Sequence, residues 1–119
     1  MDLLIINPKM SWYTNRSMIS CGALQLASYL YEKKFNVKII DDNSIYRDLS
    51  FEDYVNYVQQ YNPKIIGLSV STLNAYTSYA LAKVLKKQFP DKIIIGGGLH
   101  SYDSFQEMSN QSFDVVFRG

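Results

Sequence analysis

The chain has 119 residues, 47% of them hydrophobic and 19% charged. That is enough apolar chain for one core and too little length for two of ordinary size, and it excludes general disorder. Twelve basic and eleven acidic side chains leave a formal net charge of +1, without the broad basic footprint of a nucleic-acid or anionic-membrane binder.

The first apolar run is Leu3-Leu4-Ile5-Ile6. Ile19, Ala23, Leu26, Ala27 and Leu30 then recur at helical spacing, which predicts an amphipathic helix. Val37-Lys38-Ile39-Ile40 reads as a second strand, closed by the acidic pair Asp41-Asp42, a solvated turn or helix cap by its composition. Ser50 with Asp53 three residues on is an N-cap signature, opening a helix whose face is Phe51, Tyr54, Val55 and Val58. Ile65-Ile66-Gly67-Leu68-Ser69-Val70 is a third strand. Ala80, Leu81, Val84 and Leu85 mark a third helix, which Pro90 ends. Ile93-Ile94-Ile95 is a fourth strand. A short helix is expected from Ser104, with Glu107 completing a capping box and Phe105 and Met108 pointing inward. Val115-Val116-Phe117 is the fifth strand.

The apolar runs are β-branched and mostly continuous rather than alternating, as in parallel strands covered on both faces. Strands alternating with helices imply right-handed crossovers. The expected fold is a three-layer α/β/α domain over residues 1–119, with a five-stranded parallel sheet in the flavodoxin-like (Rossmann-like) order 2-1-3-4-5. The chain stops directly after its last strand, where a final helix would ordinarily follow, so it reads as an excised piece of a longer protein.

One thiol, Cys21, allows no internal disulfide and cannot by itself hold an iron–sulfur cluster. No apolar run approaches the ~18 residues of a membrane span. The N-terminus lacks the basic stretch and cleavage site of a signal peptide. A cytoplasmic location is expected.

In open α/β sheets ligands bind beyond the carboxyl ends of the strands, where strand order reverses. The loops concerned are Asn7-Pro8-Lys9-Met10-Ser11-Trp12, Ser69-Val70-Ser71-Thr72 and Gly96-Gly97-Gly98-Leu99-His100. The first has no glycine before Gly22, so a G-x-G-x-x-G dinucleotide site is disfavoured, and no Gly-Lys-Ser/Thr phosphate loop occurs. The same loop does not supply the hydroxyl- and glycine-rich turn of a flavin mononucleotide site. Ser69 and Ser71 stand where a receiver domain would carry its phosphorylated Asp. These serines, beside Gly96, Gly97 and Gly98, leave adjacent strand ends almost without bulk. A flat organic group could enter there, with glycine permitting close approach and serine bonding ring nitrogens.

The ordered set of motifs resembles the cobalamin-binding domain at the N-terminus of many radical S-adenosylmethionine enzymes, over essentially the whole chain. Asn7-Pro8 resembles the family's opening after strand 1. Gly22-Ala23-Leu24-Gln25-Leu26-Ala27-Ser28-Tyr29-Leu30 resembles its first helix, and Val37-Lys38-Ile39-Ile40-Asp41 its second strand. The stretch from Pro63 to Thr72 resembles its Pro-Asp-hydrophobic-Gly-hydrophobic-Ser segment. Gly96-Gly97-Gly98-Leu99-His100 resembles its Gly-Gly-x-His loop, and Phe113 to Gly119 its last strand.

The resemblance implies that Ser69, Ser71, Gly96 and Gly97 line a slot for the cofactor's dimethylbenzimidazole tail. Val70 and Gly98 belong to the same strand ends, and Thr72, Asn7 and Pro8 would sit nearer the corrin. The mutase-type Asp-x-His-x-x-Gly after strand 1 is absent, so no lower His ligand to cobalt is expected. His100, the only histidine, lies on the wrong loop for that role and reads as a structural or pocket-edge residue. Lys34 stands where the family often has glycine, so Asn36 is expected to make the left-handed turn. Tyr29, Tyr31, Tyr76 and Tyr79 suit a domain interface or a corrin edge equally.

The implied partners are cobalamin and a C-terminal radical S-adenosylmethionine barrel. S-adenosylmethionine and a 4Fe-4S cluster would be confined to that barrel, and neither nucleic acid nor membrane is expected. The fragment itself would not be catalytic, and methyl transfer is one reaction the resemblance leaves open to its parent. A cofactor-free scaffold of the same fold stays open as the alternative.

Overall fold

The computed structural model describes residues 1–9, 20–43 and 48–118. Ile19, Met10, Ser11, Trp12 and Gly119 therefore lie outside the described residues. The strands are β1 (Leu3–Asn7), β2 (Val37–Asp41), β3 (Ile65–Ser69), β4 (Ile93–Gly97) and β5 (Val115–Val116). The helices are α1 (Cys21–Glu32), α2 (Phe51–Tyr61), α3 (Ala75–Gln88), α4 (Leu99–Asp103) and α5 (Phe105–Ser109), with a 3-10 turn at Thr72–Asn74. The five strands form one parallel sheet in the order β2-β1-β3-β4-β5, as the apolar runs predict. Among the described residues no helix is long and apolar enough to cross a membrane.

Alternation along each strand divides the core. Leu4, Ile6, Ile40, Ile66, Leu68, Val70 and Ile94 meet α2, α3 and α5 through Tyr54, Val58, Leu81, Leu85 and Met108. Leu3, Ile5, Val37, Ile39, Ile65 and Ile95 meet α1 through Ala23, Ala27 and Leu30. The two faces are unequal. Ile93 and Val115, which alternate with buried or half-buried residues of the first face, are 47% and 45% exposed on the α1 side.

The helix ends follow local chemistry. Ser50 Oγ accepts from Asp53 N–H (3.2 Å) and Asp53 Oδ2 accepts from Ser50 N–H (2.8 Å), the capping box expected at α2. Ser20 caps α1 by accepting from Ala23 N–H. Lys34, not Asn36, takes the left-handed position, with φ 71°. Asn36 is engaged elsewhere: its carbonyl accepts from Asp2 and Leu3 N–H, and its own N–H donates to Asp2 Oδ2. Leu26 is 47% exposed and Ala80 is exposed, so both helical faces are rotated from the predicted stripes. In α3 the buried face is Ala75, Ser78, Tyr79, Leu81, Ala82 and Leu85.

β5 is only two residues long, and Asp114 fastens it. Asp114 Oδ2 accepts from Ile94 N–H at 2.8 Å and from Lys86 Nζ at 2.9 Å, while its own N–H donates to Ile94 O at 2.7 Å. The Ile94 amide first, then the Lys86 ammonium, holds the Asp114 carboxyl below the ordinary aspartate range. A lowered folded-state pKa adds stability above the unfolded value, and that stability is lost as pH falls through the folded value. Asp114→Asn is expected to lower the urea midpoint at neutral pH and to flatten its decline between about pH 5 and pH 2, measured by fluorescence.

Candidate functional site

The strand order reverses between β1 and β3, and a polar lattice fills that junction. Asn7 Nδ2 donates to Asp41 Oδ1 at 3.1 Å. Asp41 also accepts from the backbone N–H of Ser20 and of Asn43, at 3.0 Å each. Asn43 Nδ2 donates to Pro8 O at 3.0 Å. Asp42 is fully buried, accepting from Tyr54 Oη at 2.7 Å and Leu49 N–H at 3.1 Å. The acidic pair is thus an internal fastening, not a solvated turn, because a phenol and backbone amides replace its water. Burial first, then Asp42, pushes the Tyr54 phenol far above its usual range, so it stays a donor.

Asn74, fully buried, is the hub of this lattice. Its Nδ2 donates to Pro8 O (3.0 Å) and Ser69 O (3.2 Å). Its Oδ1 accepts from Ser71 N–H (2.8 Å) and Ser78 Oγ (3.2 Å). Asn7 and Pro8 are accordingly buried, the Asn7 carbonyl accepting from Asp42 N–H and the Pro8 carbonyl from Asn43 and Asn74.

The glycines after β4 play three different parts. A Cβ on Gly96 would lie 2.9 Å from the Phe113 ring and 3.1 Å from Met108 Cε, so Gly96 packs into the α3–α5 side. Gly98 has φ 113°, and its Cβ would fall 2.5 Å from Val70 O. It lets the chain pass against Val70, whose N–H donates to Gly97 O (2.7 Å) and whose carbonyl accepts from His100 N–H (3.2 Å). Val70's side chain is buried in the core. Only Gly97 is open, its Cβ meeting nothing nearer than Phe117 Cβ at 3.8 Å. Gly97 is in register with half-buried Ser69. Ser71 follows, and its Oγ is buried without a hydrogen-bond partner among the described residues. Ser69 and Gly97 thus share a register position, Ser71 follows two residues on, and Gly96 faces Phe113 and Met108.

His100 is 8% exposed. Its Nδ1 lies 3.2 Å from Thr72 Oγ1, and its Nε2 lies 2.9 Å from Glu107 Oε2 and 3.0 Å from Tyr79 Oη. Tyr79 Oη donates to the same Glu107 oxygen at 2.9 Å. Glu107 thus serves His100 and Tyr79 rather than a capping box at Ser104, which makes no side-chain cap. The His100 bond, then the Tyr79 bond, holds the Glu107 carboxyl below its usual range. Burial, then Glu107, pushes the Tyr79 phenol well above its own. Tyr29, Tyr31 and Tyr76 are exposed, whereas Tyr79 is interior. Asn74 is the part of this lattice that sequence reading does not single out, while Tyr79 and Glu107 are read there in other roles, as an interface or corrin-edge tyrosine and a capping residue.

Residues 15–119 match the B12 binding domain. The chain belongs to that family. An uncharacterized methyltransferase of Pyrococcus horikoshii is 33% identical over 79 residues, 66% of this chain and 17% of that protein. The cobalamin-dependent S-adenosylmethionine radical enzyme OxsB, with aqua-cobalamin bound, superposes with a TM-score of 0.76 at 18% identity, covering 90% of this chain and 15% of its own. A cobalamin-binding protein from Desulfitobacterium hafniense gives 0.69 at 18% identity, covering 98% and 52%. These two likenesses show the flavodoxin-like fold. This B12-binding domain spans about a sixth of the curated methyltransferase and 15% and 52% of the two solved chains.

The glycine assignments predict a contrast. Gly98→Ala is expected to cost more than about 2 kcal/mol, from backbone strain plus the clash with Val70. Gly97→Ala is expected to stay within about 1 kcal/mol of the parent chain. Chemical denaturation of the two variants measures both.

Proposed function

We propose that this chain is the cobalamin-binding module of a radical S-adenosylmethionine enzyme, holding the cofactor with its nucleotide tail extended between the ends of β3 and β4 and without a histidine ligand below the cobalt. The observation that carries this reading is the buried Ser71 hydroxyl, without a hydrogen-bond partner among the described residues, two residues beyond the Ser69–Gly97 pair. A buried polar atom without a partner costs about 1–3 kcal/mol, and one in a native fold calls for a water, an ion or a ligand to complete its bonding. Dimethylbenzimidazole is flat and carries a ring nitrogen that can accept from Ser71 Oγ–H. Gly97 leaves room for a ring against the strand, and Ser69 offers a second hydroxyl.

The absence of a lower histidine rests on the chain's single imidazole. Both ring nitrogens of His100 are engaged, by Thr72 on one side and by Glu107 and Tyr79 on the other. Cobalamin, when bound, supplies a redox-active cobalt for group transfer. The work of this chain is to bind and orient: Ser71 and Ser69 at the tail, Gly97 as the open wall, and the Asn74 lattice as the frame. The radical chemistry, S-adenosylmethionine and the 4Fe-4S cluster belong to a separate barrel of the parent enzyme. The curated relative's description as a methyltransferase supports methyl transfer as the parent's reaction class.

Titration with hydroxocobalamin, followed by visible absorbance and calorimetry, tests this reading. Saturable binding with a base-off spectrum is expected, abolished in Ser71→Trp while circular dichroism and melting are retained. A spectrum with a protein nitrogen on cobalt would overturn the histidine-free assignment. Failure of both the domain and its full-length parent to bind would leave the cofactor-free scaffold.

A further inference from the structure

The bonding around His100 has a definite polarity. Ionised Glu107 only accepts hydrogen bonds, so the ring nitrogen 2.9 Å from it, Nε2, carries the proton. In the neutral imidazole Nδ1 is then bare, and the 3.2 Å contact with Thr72 Oγ1 runs one way: the threonine O–H donates to the ring. Its proton is committed inward, so the hydroxyl has only lone pairs to present outward. Thr72 itself is exposed and directly follows Ser71, whose buried hydroxyl has no partner among the described residues. The triangle of Tyr79, His100 and Glu107 joins α3, α4 and α5, so the ring's position is set from three elements.

We propose that His100 is a positioning residue which, held as the Nε2–H tautomer by Glu107 and Tyr79, fixes the exposed Thr72 hydroxyl as an acceptor for an N–H donor of the bound ligand. The inference rests on the cobalamin reading of the site, in which the donors are the primary amides on the corrin rim. His100 touches no ligand in this role. It decides which way a neighbouring hydroxyl faces, and so favours an amide N–H over a carbonyl at that point of the rim.

The chain contains one histidine, so nitrogen-15 spectra of the labelled protein report a single imidazole. At mildly alkaline pH, Nδ1 is expected at the shift of an unprotonated ring nitrogen and Nε2 at that of a protonated one. Glu107→Ala, at a side chain 45% exposed, is expected to relax that preference without unfolding the domain. In hydroxocobalamin titrations Thr72→Val is expected to weaken binding about fivefold, the worth of one neutral hydrogen bond. Glu107→Ala should weaken it less, and the double variant no more than Thr72→Val alone. His100→Phe should weaken binding too, but by no more than Thr72→Val, since the freed hydroxyl can still accept. His100→Gln should restore most of that loss, because its amide can donate to Glu107 and accept from Thr72.

A protonated Nδ1 in the wild type would overturn the proposal. So would additive losses in the double variant. Wild-type binding that Thr72→Val and Glu107→Ala leave unchanged would overturn this role alone. Failure of the wild type to bind hydroxocobalamin would overturn the functional reading and the role with it.

Discussion

The carboxamide of Asn74 joins the ends of the two central strands, and the rest of this end of the molecule is arranged around it. Where β1 and β3 diverge, their last carbonyls run out of ladder partners, and backbone polar groups buried there must find others. Asn74 meets both needs, donating to Pro8 O and Ser69 O while accepting from the amide of Ser71. One buried side chain thereby sets the direction in which the chain leaves β3. Ser71, Thr72 and the start of α3 inherit their positions from it.

A second fastening lies one strand over. Gly98 passes so close to Val70 that no side chain fits between them, and the Val70 backbone bonds on both sides to the loop after β4. The ends of β3 and β4 are therefore held as a pair, with Gly97 opposite Ser69. Because α2, α3 and α5 all pack on one face and α1 alone on the other, Gly96 and Gly97 meet opposite surroundings. The neighbour facing the crowded side is filled by Phe113 and Met108, and the one facing the thinner side is open.

Much of this was legible in the residues. Continuous β-branched runs at βαβ spacing predict parallel strands, and five such strands favour the order 2-1-3-4-5. The Ser50–Asp53 cap needs only local geometry and is found as expected. The failures share a cause, which is that tertiary partners outbid local ones. Glu107 has the spacing of a capping box but lies nearer His100 and Tyr79. Asp42 has the composition of a solvated turn but meets the Tyr54 phenol. Three successive glycines look alike in sequence, and only strand parity and φ separate a packed one, an open one and a conformational one. Lys34 takes the turn because Asn36 is claimed by Asp2 and Leu3. The short α4 carries no stripe long enough to be read. The loop expected at Met10 to Trp12 lies outside the described residues.

The pairing of β1 with β3 also has a consequence in time. Leu3 is in register with Ile65, so more than half of the chain lies between two residues that share a ladder. During synthesis β1, α1 and β2 emerge first, yet the face of Leu4 and Ile6 has only Ile40, Tyr54 and Val58 to pack against until Ile66, Leu81 and Leu85 follow. Contacts so distant along the chain slow folding, because loop closure comes before its reward. A nascent chain of this design must carry its most apolar strand half-covered for much of its own making, the interval in which unpaired strands are exposed to chaperones or to one another.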